Sequence, residues 1–324
     1  MKQMFLPLLL ILTLVLSACM PAATPAPSPA AEQPQRLQVV ATTSIVADVV
    51  KNISGERVLV LTMLPIGTDV HNYEPTPQDL ALVADAQLVF VNGAGLEEFV
   101  SVLIENAGSA DKVVEVSHGI ELKDFGAHDD DHGEESQDHT DEGEEDTHEG
   151  GDPHTWVDPN LVKIWVENIR TALTAADPAG EAVYRANAEA YLKQLDEIDG
   201  WIRQQVAQIP PENRKLVTDH MVFGYFAERY GFEQIGAILP GYSTAAQPSA
   251  QEVAAIEDAI RQFGVKAVFV GKTINPNLAQ RVAEDTGIQL VSLYTGSLSA
   301  PDGEAGTYLD YLRYNVTQIV NALK

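Results

Sequence analysis

Imidazole and carboxylate are the groups this chain concentrates. Between His128 and Gly150 stand twelve Asp or Glu and four histidines, His128, His132, His139 and His148, with no Lys or Arg. That composition suits the gathering of divalent metal, because imidazole is a good donor for zinc and its neighbours while carboxylates supply the attracting field. It also reads as a solvated acidic loop with incidental histidines, since blocks of like charge are usually just hydrated. Three more histidines have firmer settings. His71 lies in Pro65-Ile66-Gly67-Thr68-Asp69-Val70-His71-Asn72-Tyr73-Glu74-Pro75-Thr76-Pro77, where glycine and prolines can hold an imidazole still. His154 lies in Asp152-Pro153-His154-Thr155-Trp156-Val157-Asp158-Pro159, ahead of an expected helix from Asn160 to about Thr174, and His220 lies at a strand-to-helix turn after Asp219. A lone loop histidine is more often capped or solvated than a ligand. Three of them beside a metal-attracting tract point to a shared metal site. His118 has no comparable setting and reads as a surface residue.

The elements that must position these groups alternate. Strands are expected at Leu37–Ala41, Val58–Leu64, Leu88–Asn92 and Lys112–Val116, and again at Leu216–Thr218, Glu233–Ile238, Ala267–Val270 and Leu290–Leu293. Helices fall between them: Ser44–Ile53, Thr76–Ala84 and one more in the first set, then Met221–Tyr230, Ser249–Phe263, Pro276–Thr286 and Thr307–Leu323. The pattern predicts an α/β protein of two lobes, 37–176 and 211–324, each a parallel-type sheet flanked by helices. Ligands of open α/β sheets collect at the carboxyl ends of strands, and all three histidine positions fit that rule. Between the lobes, Tyr184, Ala188, Tyr191, Leu195, Ile198, Ile202, Val206 and Ile209 step by three or four residues. They predict one stiff linking helix of about 45 Å over Asp177–Ile209, with no large hinge closure.

The amino terminus reads as an export signal. Lys2 precedes an apolar run from Phe5 to Leu16, too short to span a bilayer, and Leu16-Ser17-Ala18-Cys19 looks like a bacterial lipobox. Residues 1–18 are then a signal peptide and Cys19 the lipidated first residue of the mature chain, followed to residue 36 by a Pro/Ala-rich spacer. Cys19 is the only cysteine, which excludes an internal disulfide and leaves no thiolate for metal or catalysis. The net charge is −27, and still −15 without the tract's twelve acidic residues. Nucleic acid is therefore a poor partner and a cationic ligand a favoured one.

The three histidine segments, with Gly306-Thr307-Tyr308 through Tyr314-Asn315, make the chain resemble the metal-binding solute receptors of bacterial ABC importers, the ZnuA and TroA type. The resemblance runs from about Leu37 to the end. It implies two α/β lobes joined by a rigid helix and a single metal in the cleft on His71, His154 and His220. Partners would be a permease and its ATPase, with membrane attachment through Cys19, and the receptor is expected to be a monomer. One departure stands out. Many members carry an aspartate in Y-[ST]-D-S-L, where this chain has Tyr294-Thr295-Gly296-Ser297-Leu298. The fourth position would fall to water, to a tract histidine, or to a carboxylate such as Asp219, Asp302 or Glu304.

Three neutral imidazoles suit Zn2+ better than Mn2+, which prefers more oxygen ligands. The resemblance adds that His-rich loops at this place accompany zinc receptors, so Zn2+ is the expected ion, with a manganese or iron receptor as the alternative. Two other classes remain: an extracytoplasmic zinc hydrolase using an open fourth position, and a metal-buffering adhesin. The chain has no H-E-x-x-H helix and no evident base beside a histidine, so no enzyme is expected.

Overall fold

A computed structural model describes residues 36–123 and 151–324. The leader, Cys19, the spacer and the acidic tract with His128, His132, His139 and His148 lie outside these described residues.

The first lobe opens with β1 (Leu37–Ala41) and α1 (Ser44–Ser54). Thr43 starts α1 by accepting a hydrogen bond on its hydroxyl from the Val46 N–H at 3.2 Å. Ile45, Val46, Val49, Val50 and Ile53, the face their spacing predicts, are all buried. Next come β2 (Val58–Thr62), α2 (Pro77–Asp85), β3 (Leu88–Val91), α3 (Glu98–Ala107) and β4 (Val113–Glu115). Thr76 and Asp79 form a reciprocal capping box at the start of α2, which fixes where the loop carrying His71 ends. The strands pair in parallel in the order β2-β1-β3-β4.

Two helices link the lobes: α4 (Pro159–Ala176), capped by Asp158, and α5 (Glu181–Val206). The linking helix therefore starts later than the expected Asp177. Pro178–Gly180 forms a tight turn, and the Asp177 carboxylate is taken by Arg57 and by the Tyr184 hydroxyl, which stops α4 and reverses the chain. The 26 residues of α5 measure about 39 Å at the usual rise. All eight residues of the expected stripe are buried, including Ile209 just beyond the helix.

The second lobe contains β5 (Lys215–Thr218), α6 (Gly224–Tyr230), β6 (Glu233–Ala237), α7 (Ala250–Phe263), β7 (Ala267–Gly271), α8 (Asn277–Thr286), β8 (Gln289–Leu293) and α9 (Tyr308–Leu323). Its strands are parallel in the order β6-β5-β7-β8. In each sheet the chain leaves its first strand toward one edge and returns on the other side, creating the switch point at which such sheets take ligands. Helix α6 begins later than the expected Met221. The His220 carbonyl accepts from both the Thr218 hydroxyl at 2.6 Å and the Val222 N–H at 2.8 Å, so the chain turns there before it can coil.

The core does not divide cleanly between lobes. One apolar cluster joins the first lobe, α4 and α5 to Leu216, Phe226, Phe269, Leu293 and the buried face of α9. A smaller one, with Val217, Ile256, Ile260, Val268 and Val282, lies between the second sheet and α7 and α8. Helix α5 touches α1 and α4 on one side and α9 on the other. We expect Leu195→Ala, at a fully buried site on α5, to lower stability by about 2–5 kcal/mol. Denaturant unfolding followed by both tryptophan fluorescence and far-UV dichroism should give one coincident transition, and two separated transitions would contradict a shared core.

Candidate metal centre

His71, His154 and His220 meet between the lobes. One nitrogen from each lies within 4.8 Å of the others, and among the described residues this is the only such cluster of metal-donor side chains. The ring centroids are 5.1–5.4 Å apart. The Nε2 atoms of His71 and His154 are 3.3 Å apart. Two nitrogens bound tetrahedrally to one zinc at its usual bond length would be separated by about 3.3–3.4 Å, so the spacing suits a shared cation.

Each histidine arrives on a different kind of backbone. His71 sits in the loop after β2, its N–H donating to the Asp69 carboxylate at 3.1 Å. His220 follows β5 directly. His154 does not follow a strand: it precedes a single turn, Thr155–Val157, that leads into α4. It is nevertheless tied to strand ends. Asn92, after β3, donates to the Pro153 carbonyl at 3.0 Å, and Ser117, after β4, bonds the Thr155 hydroxyl at 2.9 Å. The strand-end rule thus holds for His154 in space and not along the chain.

Behind two of the rings stand buried carboxylates. Asp152 Oδ1 accepts from the His154 backbone N–H at 2.9 Å and lies 2.8 Å from its Nδ1. Asp219 Oδ1 does the same for His220, at 2.7 Å in both contacts, while its Oδ2 accepts from the Gly271 N–H at 2.5 Å. A proton held on Nδ1 leaves the Nε2 lone pair facing the cleft, the tautomer a metal requires. Burial, reinforced by the neighbouring His220, holds the His154 pKa well below 6.5, so its ring is neutral at pH 7. Burial also raises the Asp152 carboxyl to about 7.

Two glycines make room for these carboxylates. A Cβ on Gly224 would lie 2.7 Å from Asp152 Oδ2, and one on Gly271 would lie 2.3 Å from the Thr295 hydroxyl and 3.1 Å from Asp219 Oδ2. The orienting role of Asp152 and the need for Gly224 and Gly271 escaped the sequence reading. The aspartates were legible as D-x-H and D-H spacings; the glycines left no signal, because their neighbours are remote in sequence.

Of the carboxylates considered for a fourth position, Asp219 is spent on His220 and Gly271, while Asp302 and Glu304 are exposed and outside the cluster. Gly296 lies beside the His71 loop, where an added Cβ would meet only Val70, at 3.7 Å. Its flanks are held across the lobes. The Thr295 carbonyl accepts from Trp156 Nε1 and the Tyr311 hydroxyl, and the Ser297 hydroxyl accepts from the Gly67 N–H at 2.9 Å. His118 is exposed, as expected of a surface residue.

The chain is similar to known metal-binding proteins. The family model described as zinc-uptake complex component A, periplasmic, matches residues 39–322. The manganese-binding lipoprotein MntA of Halalkalibacterium halodurans is 35% identical over 294 residues, 90% of each chain. The periplasmic zinc-binding protein TroA of Treponema pallidum superposes with a TM-score of 0.78 at 27% identity, over 89% of this chain and 99% of its own. A manganese-bound periplasmic metal-binding protein from Candidatus Liberibacter asiaticus gives 0.73 at 28%, over 90% and 100%. With its two parallel sheets and its match along nearly the whole described chain, the protein belongs to the ZnuA/TroA family of metal-binding substrate-binding proteins of ABC importers, a family of receptors and not of enzymes.

Proposed function

We propose that this chain is an extracytoplasmic receptor that holds one Zn2+ between its lobes on His71, His154 and His220 and passes it to an ABC permease. The observation that carries the reading is the convergence of three imidazole nitrogens with two of the rings backed by carboxylates. Both nearby aspartates are consumed in orienting histidines, which leaves a neutral, nitrogen-rich donor set, and that set favours zinc over manganese. Manganese is the second reading, supported by the similarity to the manganese-binding lipoprotein MntA and to the manganese-bound Liberibacter protein. The tract residues His128, His132, His139 and His148 are proposed to gather ions weakly, and Cys19 to carry a lipid anchor.

Calorimetric titration of the metal-stripped mature protein should reveal one tight site that prefers Zn2+ to Mn2+. Replacing His71, His154 or His220 by alanine should weaken it more than about 100-fold, beyond the range for residues that only support a ligand. Wild-type affinity in all three variants would end the reading, and a preference for Mn2+ would select the second one. Protein lacking residues 127–149 should keep the tight site and lose weaker ones; loss of the tight site would instead make the tract a source of the fourth ligand.

Acid should weaken binding, since protons compete with metal for imidazole. The depressed pKa of His154 keeps that ring a competent donor below the usual histidine range, so the loss should develop progressively as pH falls from about 6.5. Dissociation constants measured at pH 7.5 and 5.5 check the direction; equal values would contradict imidazole ligation.

Lipidation has its own readout. Cys19→Ser expressed in a bacterial host should abolish incorporation of labelled fatty acid, and unchanged labelling would place the anchor elsewhere.

A further inference from the structure

One hydroxyl of the opposite lobe bonds the residues on both flanks of the acidic tract. Tyr225, in the first turn of α6, is buried, and its phenol donates to the Asp152 carbonyl at 2.7 Å while accepting from the Lys123 N–H at 3.1 Å. Lys123 and Asp152 are themselves paired, the Asp152 N–H donating to the Lys123 carbonyl at 2.7 Å. Lys123 also forms an ion pair with Glu228, one turn further along α6. Lys123 and Gly151 bracket residues 124–150, so the chain leaves for the tract and returns from it at this point.

Asp152 needs such support. Its Oδ1 serves His154, but its buried Oδ2 takes no hydrogen bond among the described residues and instead abuts Gly224. The carboxylate is held at one oxygen only, by His154, so its direction depends on its backbone as well, and the Tyr225 hydroxyl anchors that backbone. Five positions earlier in the same segment stands His220.

We propose that Tyr225 is an interlobe positioning residue, which holds Asp152 in place and through it aims His154 at the metal. This inference rests on the reading of His154 as a ligand. Its consequence is that a displacement of the segment from His220 to Tyr225 disturbs two of the three imidazoles together. A perturbation of α6 then loosens the metal without wide separation of the lobes.

The test is Tyr225→Phe, which removes only the hydroxyl. Its control is Tyr230→Phe on the same helix, where a buried hydroxyl donates to Asp199 at 2.9 Å, outside the histidine cluster. Zn2+ affinity is measured by competition with a chromophoric chelator, and the visible ligand-field bands of the Co2+-loaded proteins report the orientation of the imidazoles. Tyr225→Phe should weaken Zn2+ binding about 10-fold, the lower bound for groups that support a ligand, and shift the Co2+ bands. Tyr230→Phe should lower thermal stability and leave both readouts at wild-type values. Gly224→Ala, which presses a methyl group on Asp152 Oδ2, should shift the same bands.

Wild-type affinity and spectrum in Tyr225→Phe would overturn the proposal, as would equal weakening in the two tyrosine variants. His154→Ala, measured alongside, separates the possible failures. Unchanged binding in that variant overturns the ligand reading and this inference with it, whereas lost binding there beside an unaltered Tyr225→Phe overturns this inference alone.

Discussion

The site depends on two buried carboxylate–imidazole contacts. A histidine binds a metal only through an unprotonated nitrogen aimed at it, and in a neutral ring the position of the proton decides which nitrogen that is. Asp152 and Asp219 each place an oxygen beside Nδ1, where it can take that proton in a hydrogen bond, while the same oxygen takes the histidine's own backbone N–H. One short stretch of chain thereby sets tautomer, ring direction and backbone turn at once. Burial adds to this, because a ring with 0% exposure such as His154 resists acquiring its own charge.

Keeping two carboxylates in the interior costs solvation, and the surrounding fold is arranged to limit that cost. Asp219 recovers a hydrogen bond from the Gly271 N–H, reachable only because residue 271 has no side chain. Asp152 is given room by Gly224, and its carbonyl is held by Tyr225, both in the other lobe. The apolar core that runs from α1 through α5 to α9 keeps the lobes in register, so these contacts can be specific to fractions of an ångström. An interface of rigid, packed helices suits a receptor whose metal-donor groups must keep fixed positions.

Much of this was legible before any coordinates. The eight strands and their flanking helices follow from short apolar runs and helical spacing, and the stripe from Tyr184 to Ile209 is buried as its periodicity requires. The misplacements occurred where side chains compete with the backbone ladder. Asp177, drawn to Arg57 and Tyr184, delayed the start of α5, and the doubly bonded His220 carbonyl delayed α6. Asp219 was weighed, with Asp302 and Glu304, as a donor to the metal. Its actual partners, a ring nitrogen and the N–H of Gly271, include one 52 residues away, which no local pattern discloses.

By itself the sequence determined the α/β class and the buried stripe of the linking helix, and it singled out the three histidines that converge, because periodicity and local spacing are properties of neighbouring residues. Only the tertiary structure decided that Asp152 and Asp219 contact the rings, that Gly224 and Gly271 must lack side chains, and that the Tyr225 hydroxyl ties the Asp152 backbone to the other lobe's helix. The aspartates stand beside their histidines, but the approaches of the two glycines and of Tyr225 join residues far apart in the chain, 73 positions in the case of Tyr225 and Asp152. They exist only once packing has brought distant segments to hydrogen-bonding distance, where direction matters as much as residue type.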